Sequence, residues 1–117
     1  DIEQDWTSWL KFFLTAIEIH AKRTTELAEE IQSLYERLKN EVVIEIRSKY
    51  SIAVLDAIFS QPILSAQTLR RAIGAKSKGT TYSLIKKFVK ASVLEEIGVV
   101  GGEKLYVFRD LLKLIRV

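Results

Sequence analysis

The chain has 117 residues, enough for one domain of ordinary size, and 48% of them are apolar while 28% are charged. This balance, with a net charge of only +3, excludes a disordered chain, and no apolar stretch approaches the ~18 residues of a membrane-spanning helix. With no cysteine and one histidine, the sequence excludes a disulfide scaffold, a thiol nucleophile and a cysteine-ligated zinc site, so we expect no metal and no cofactor. The acidic opening is unlike a basic secretory signal, and we expect a cytoplasmic protein.

The first predicted element is a long amphipathic helix over residues 5–47. No glycine or proline precedes Pro62, and apolar residues recur at steps of three and four. Because the sequence has no methionine and opens within this pattern, we expect a piece cut from a longer protein. The β-branched run at residues 42–46 is compatible with a strand, but we favour a helix that breaks at residues 48–51.

The apolar stripe of this helix is too long for the rest of the chain to cover, since 43 residues would span ~64 Å. A second copy, a fold-back of the helix near Asn40, or a missing domain would have to cover part of it. The aromatic cluster at residues 6–13 is either ordinary core or a contact with such a partner. His20 lies on the stripe and has no co-ligands, so we expect a packed residue. The candidates for self-association are Leu10, Phe13, Ile17, Leu27, Ile31, Leu34 and Leu38.

Three shorter helices are predicted next. Residues 51–59 form an apolar helix that Pro62 ends, because the residue before proline is driven from the α region. Ser65 is expected to cap a helix to Ile73, and Gly74 follows where a C-terminal glycine is common. Ser77 is expected to cap a third helix over residues 78–91, with a buried face made by Thr81, Ile85, Phe88 and Val89.

The hydrophobic period then changes from 3.6 to 2, which predicts strands at residues 93–97 and 105–108 and a connection over residues 98–104. Residues 111–115 close the chain with a helical turn or two. The fold class is therefore mainly α with a small β-hairpin: a long helical segment at residues 1–49 and a winged helix-turn-helix domain at residues 50–117.

The charge of the two halves differs in sign. Residues 1–50 hold 10 acidic and 7 basic side chains, whereas residues 51–117 hold 5 acidic and 11 basic. No acid occurs between Asp56 and Glu95, and a basic stretch of this kind attracts polyanions, nucleic acid first. The predicted DNA-contacting residues are the exposed positions of the third helix and the basic residues that flank it: Arg70, Arg71, Lys78, Thr80, Tyr82, Ser83, Lys86, Lys87, Lys90 and Lys104.

Two segments carry a family resemblance. The segment WTSWLKFFLTAI at residues 6–17 resembles the one that follows the catalytic core in proteins of the Fic family (filamentation induced by cAMP). The segment SKGTTYSLIKKFVKA at residues 77–91 resembles the recognition helix of the winged helix that many of these proteins carry at their C-terminus, and residues 94–97, 106–108 and 111–112 continue the match.

The resemblance implies a regulatory part of such a protein without its active site. Fic proteins transfer AMP or another phosphate-containing group from a nucleotide to a target hydroxyl, with a histidine-proline-phenylalanine motif and a glycine-asparagine-glycine-arginine loop. Neither occurs here, since His20 precedes Ala21 and Pro62 precedes Ile63, so we expect no catalytic residue and no enzyme. Ser83 stands where the family often has arginine, Ser92 replaces a common glycine, and Gly79 replaces a frequent proline.

Three hypotheses of function follow. The first is a module that binds double-stranded DNA and regulates transcription, resting on the winged-helix order and the acid-free stretch. The second is a protein-interaction or dimerisation module, resting on the long stripe, with a second copy or a missing Fic core as the partner. The third, a catalytic fragment, is disfavoured by the missing motif. No membrane and no small-molecule substrate is expected.

Overall fold

The computed structural model describes residues 2–115, and within them the side chains of residues 4–18 and 21–115. A long N-terminal helix leads into a winged helix-turn-helix, so the chain is mainly helical with a small antiparallel sheet. The molecule measures 72 × 34 × 22 Å because most of the first helix projects from the core. The predicted fold class is confirmed. The side chain of His20 lies outside the described residues.

The first helix, α1, runs from Ile2 to Leu38 and passes into a π-helical turn, Lys39–Val43, and a last short helix, α2, Ile44–Ile46. The backbone continues through Asn40, so the expected alternative of a fold-back there is wrong, as is a strand at residues 42–46. The helical path ends at Arg47, whose φ of 56° reverses the chain.

The π-helical turn keeps the apolar face of this segment in line with the core. Leu34 and Leu38 are buried, and a strict repeat of three and four residues would next reach Glu41 and Glu45, which are exposed. The extra residue of a π turn moves the face by one position. Val42 and Ile46 therefore pack against the core in place of the two carboxylates.

The next helix, α3, covers Ser51–Ser60 and buries Val54, Leu55 and Ile58. It holds the C-terminal part of α1 through Tyr35. The hydroxyl of Tyr35 donates to Asp56 Oδ1 at 2.6 Å, and its ring meets Phe59 edge-on at 5.2 Å. The hydrogen bond to the Asp56 carboxylate raises the pKa of Tyr35 above its ordinary value.

The two helices of the helix-turn-helix begin and end as their sequence predicts. In α4, Ala66–Ile73, Ser65 Oγ accepts the N–H of Thr68, and Gly74 ends the helix at φ 70°. In α5, Lys78–Lys90, Ser77 Oγ accepts the N–H of Thr80. Each serine therefore satisfies a backbone donor that the first helical turn leaves without an intrahelical partner.

The sheet differs from the predicted hairpin in extent. A three-residue strand, β1, Ile63–Ser65, was not predicted, and it pairs antiparallel with β3, Glu103–Val107. The second strand, β2, Glu95–Val100, pairs with the other edge of β3. The connection over residues 98–104 is also corrected: both strands extend to a two-residue turn at Gly101 and Gly102, whose φ angles of 60° and 79° suit glycine.

The core lies where α3, α4, α5 and the sheet meet the end of α1. Phe88 and Phe108 are fully buried, and Phe108 meets the ring of Phe59 at 5.0 Å. One predicted core position is wrong: Val89 is 39% exposed, and Leu84 is buried instead. The buried face of α5 is thus turned by part of a turn from the predicted one. The last helix, α6, Arg109–Ile115, packs on α1 and buries Leu111.

Candidate nucleic-acid interface

The surface of α5 that faces away from the core is basic and uninterrupted by acids. Its buried residues are Thr81, Leu84, Ile85 and Phe88, which fall on one face of the helix. All the predicted contact residues of this helix are exposed: Lys78, Thr80, Tyr82, Ser83, Lys86, Lys87 and Lys90. Ser83, Lys86 and Lys90 lie at the centre of this exposed face, because they are opposite the buried residues. We call it the α5 basic face.

The start of α5 uses one predicted contact residue in its own cap. The Oγ1 atom of Thr80 lies 3.0 Å from Ser77 Oγ, which also accepts the Thr80 N–H at 3.1 Å. Thr80 therefore stabilises the helix start and has less freedom to contact a base. Tyr82 and Ser83 remain the polar side chains on the α5 basic face that can reach a base edge or a sugar.

On the side of α4, the two arginines lie beside an acid that sequence analysis did not place there. The side-chain amide of Gln67 is oriented so that both its oxygen and its nitrogen have a partner. The oxygen accepts a hydrogen bond from Arg71 Nη2 at 2.7 Å, and the nitrogen donates one to Glu103 Oε1. Arg70, which is half-buried, and Lys78, which is exposed, line the crevice that contains Glu103. The acid-free stretch of sequence is thus not an acid-free surface, because β3 carries Glu103 to its edge.

The wing, which is the hairpin of β2 and β3, carries charges of both signs. Lys104 lies 3.9 Å from Glu96, so its charge is partly compensated. Arg109 is 2.5 Å from Glu95, and its hydrogen bond and charge hold the pKa of that carboxyl below the ordinary value. The basic surface is therefore centred on α5, and Lys104 contributes little to it.

The other flank of the α5 basic face meets the end of the first helical segment. Lys87 and Lys90 line an open cleft with Val42, Glu45 and Ile46. Glu45 brings one carboxylate to this flank. Lys86 lines neither this cleft nor the crevice that contains Glu103.

The predicted self-association residues divide into three groups. Leu10, Phe13 and Ile17 are about half exposed. Leu34 and Leu38 are only 7% and 4% exposed because α1 packs with α3 and α6 there. The structure uses these two leucines within the chain, which removes them from the surface that a partner could contact. Leu27 and Ile31 are intermediate, and Ile31 packs against the same core.

Two kinds of site are missing from the part of the chain that the structure describes. Its side chains include no cluster of three His, Cys, Asp or Glu residues that could hold a metal ion. None of its helices combines the length and the apolar character needed to cross a membrane. The described residues instead form a basic helix face in a winged helix-turn-helix.

The described elements define the class of the fold: a winged helix-turn-helix preceded by a long helix. No family model matches the chain. Among solved structures, it is similar to one titled as the type III plasmid segregation protein TubR, with a TM-score of 0.45 and 23% sequence identity over 73% of this chain and 80% of that one. A likeness at this level does not extend to function.

Proposed function

We propose that the chain is a DNA-binding module that places the α5 basic face against the phosphates of double-stranded DNA. The observation that carries the proposal is the exposure of Lys78, Lys86, Lys87 and Lys90 on one helix that has no acid of its own. In a helix-turn-helix, the second helix of the motif can enter the major groove, which is ~12 Å wide and admits an α-helix.

The same face supports only modest reading of sequence. Lysines contact phosphates as point charges, whereas arginine makes the commonest bidentate contact with guanine. Within α5 there is no arginine, and Ser83 and Tyr82 are the remaining candidates for base contacts. We therefore expect binding dominated by phosphates, with Tyr82→Ala affecting preference between sequences more than affinity.

The test compares two double variants of equal charge. Lys86→Ala with Lys90→Ala removes two lysines at the centre of the α5 basic face, and Lys11→Ala with Lys22→Ala removes two exposed lysines of α1. Fluorescence anisotropy with labelled duplexes of several sequences measures the affinity. The first variant should weaken binding to all duplexes alike and reduce the slope of log K against log salt by about 1.8, at ~0.9 per contact.

The control pair should bind like the wild type, because α1 projects away from α5. Equal losses in both variants would mean that net charge alone drives the binding. Unchanged affinity in the Lys86 and Lys90 variant would contradict the proposed interface. Circular dichroism of both variants confirms that the exposed substitutions leave the fold intact.

Finer aspects of the function are also proposals. A role in transcription and a longer Fic-type parent that carries the transferase site are inferred from the family resemblance, and a cytoplasmic location is proposed because it suits a DNA-binding module. The gene sequence upstream of Asp1 tests the parent directly: it should encode the histidine-proline-phenylalanine motif. The isolated chain should transfer no radiolabel from a nucleotide to itself or to proteins of a lysate.

A protein-interaction module is the second candidate, favoured by the exposed apolar residues at the start of α1. The two functions are compatible in one molecule, since the helix can associate while the α5 basic face binds DNA. Absence of DNA binding at tens of micromolar protein would leave this second function alone.

A further inference from the structure

The N-terminal part of α1 is an exposed apolar surface made of large side chains. Trp6, Trp9, Leu10, Phe13, Leu14 and Ile17 are each 46–62% exposed. The rings of Trp6 and Trp9 meet edge-on at 5.8 Å, and Trp9 stacks on Phe13 at 5.3 Å. They form one contiguous strip along the helix. Single exposed apolar residues are ordinary, but a strip of this length indicates a binding surface.

The spacing of this strip identifies the kind of partner. From Trp6 to Leu38, steps of four and three alternate without interruption along a single series of positions: Trp6, Leu10, Phe13, Ile17, His20, Thr24, Leu27, Ile31, Leu34 and Leu38. This 3.5-residue period is the heptad repeat of a coiled coil, in which each side chain packs into a hole of a facing helix. The last two positions are already buried in the chain's own core.

We propose that a second copy of this chain packs against residues 6–27 as a parallel, in-register two-stranded coiled coil. Over residues 6–27 the first positions of the heptad are Leu10, Ile17 and Thr24, and the fourth positions are Trp6, Phe13, His20 and Leu27. In a parallel, in-register pair each of these side chains packs against its own copy, so that Trp6, Leu10, Phe13 and Ile17 each meet an equally apolar residue. The pairing ends near Leu27 because α6 and α3 pack on α1 beyond that point.

The residues that flank the seam fit the same arrangement. In a parallel pair, the residue just before a first position lies opposite a residue of the other helix that is five positions further along, just after the next fourth position. Trp9 would then contact Leu14 of the partner subunit, and Ala16 would contact Ala21 of the partner subunit. Arg23 would lie opposite Ala28 of the partner subunit, so no like charges meet. Of the large exposed apolar residues at positions 6–17, this pairing leaves only Phe12 uncovered.

A parallel pair would bring both winged helices to the same end of the coiled coil, related by a two-fold axis along it. This consequence rests on the proposed function: two α5 basic faces could then contact one duplex. The association itself does not depend on DNA. A test of association in the absence of DNA therefore separates failure of the coiled coil from failure of the DNA interface.

The first measurement is the mass of the full chain by light scattering at tens of micromolar, without DNA. The expected value is twice the 13.4 kDa of the chain. Leu10→Glu with Phe13→Glu should return the monomer mass, whereas Ser8→Glu, on the outer face, should not. Circular dichroism shows whether each variant remains helical. A wild-type monomer would overturn the proposal and point to a domain of a longer chain as the occupant.

The second measurement tests orientation and uses the absence of native cysteine in the sequence. Leu10→Cys places two thiols opposite each other in a parallel, in-register pair, within the 4.4–6.8 Å Cα separation that a disulfide needs, whereas an antiparallel pair over residues 6–27 would separate them widely. Mild oxidation should link this variant into covalent dimers, and Ser8→Cys should stay unlinked. A dimer by mass whose Leu10→Cys variant does not cross-link would overturn the parallel register.

Discussion

Two glycines of the helix-turn-helix have opposite conformational roles. Gly74 ends α4 with φ 70°, a left-handed conformation that costs a residue with a Cβ about 1–2 kcal/mol. Gly79 lies within the first turn of α5, where a Cβ would meet only Ser77 Oγ at 3.9 Å. An alanine there would restrict the unfolded chain and meet no obstacle in the folded one.

We therefore predict that Gly74→Ala destabilises the protein by about 1–2 kcal/mol and Gly79→Ala stabilises it by about 0.5–1 kcal/mol. Urea denaturation followed by circular dichroism measures both changes on the same scale. Destabilisation by Gly79→Ala would mean that the start of α5 is not helical as described.

Interactions between residues close in sequence were enough to predict where several helices begin or end. The caps at Ser65 and Ser77 and the end of α4 at Gly74 depend on neighbours three or four positions away, and sequence contains that information. Leu84 was missed because Leu84 and Val89 flank the face of Ile85 and Phe88 on opposite sides, and only the packing of α5 in the folded chain decides which side is buried.

At the scale of elements, what sequence missed was set by pairing between distant segments. Strand β1 is three residues long and owes its conformation to β3, about 40 residues away, so no local pattern marks it. The same pairing carries Glu103 towards Gln67 and Arg71. The charge of the surface around the α5 basic face therefore could not be obtained from the acid-free run alone.

This placement of the wing predicts the effect of one acid on DNA binding. Glu103→Gln should strengthen binding about two- to fivefold, because it removes a negative charge beside the proposed phosphate contacts, worth ~0.5–1 kcal/mol at high dielectric. Glu18→Gln, on the projecting part of α1, removes the same charge far from α5 and should change affinity little. Anisotropy titration of both variants at one salt concentration makes the comparison, and equal effects would exclude a local role of Glu103.

At the scale of the whole molecule, the C-terminal part of the long helix packs with the winged helix. Leu34 and Leu38 lie in the core, and Tyr35 is bonded to Asp56 of α3. Sequence showed the stripe but not which part of it the chain covers itself, since that depends on where α3 and α6 lie. A domain boundary after residue 49 remains a prediction about which part folds alone.

Truncation tests that boundary. A fragment of residues 30–117 keeps Leu34 and Leu38, and we expect it to unfold cooperatively like the full chain. A fragment of residues 50–117 loses both leucines, and truncation of one buried leucine to alanine alone typically costs about 2–5 kcal/mol. We therefore expect the shorter fragment to be unfolded or far less stable by thermal denaturation. Equal midpoints for the two fragments would support a domain that begins at residue 50.

The central claim, that the α5 basic face binds duplex DNA through its phosphates, is tested most directly by the salt dependence of binding by the wild-type chain. Fluorescence anisotropy is recorded with one labelled duplex over a series of salt concentrations. About four phosphate contacts predict a slope of log K against log salt of roughly −3.6, and two paired chains would about double it. A slope near zero, or no binding at the lowest salt with tens of micromolar protein, would contradict the account.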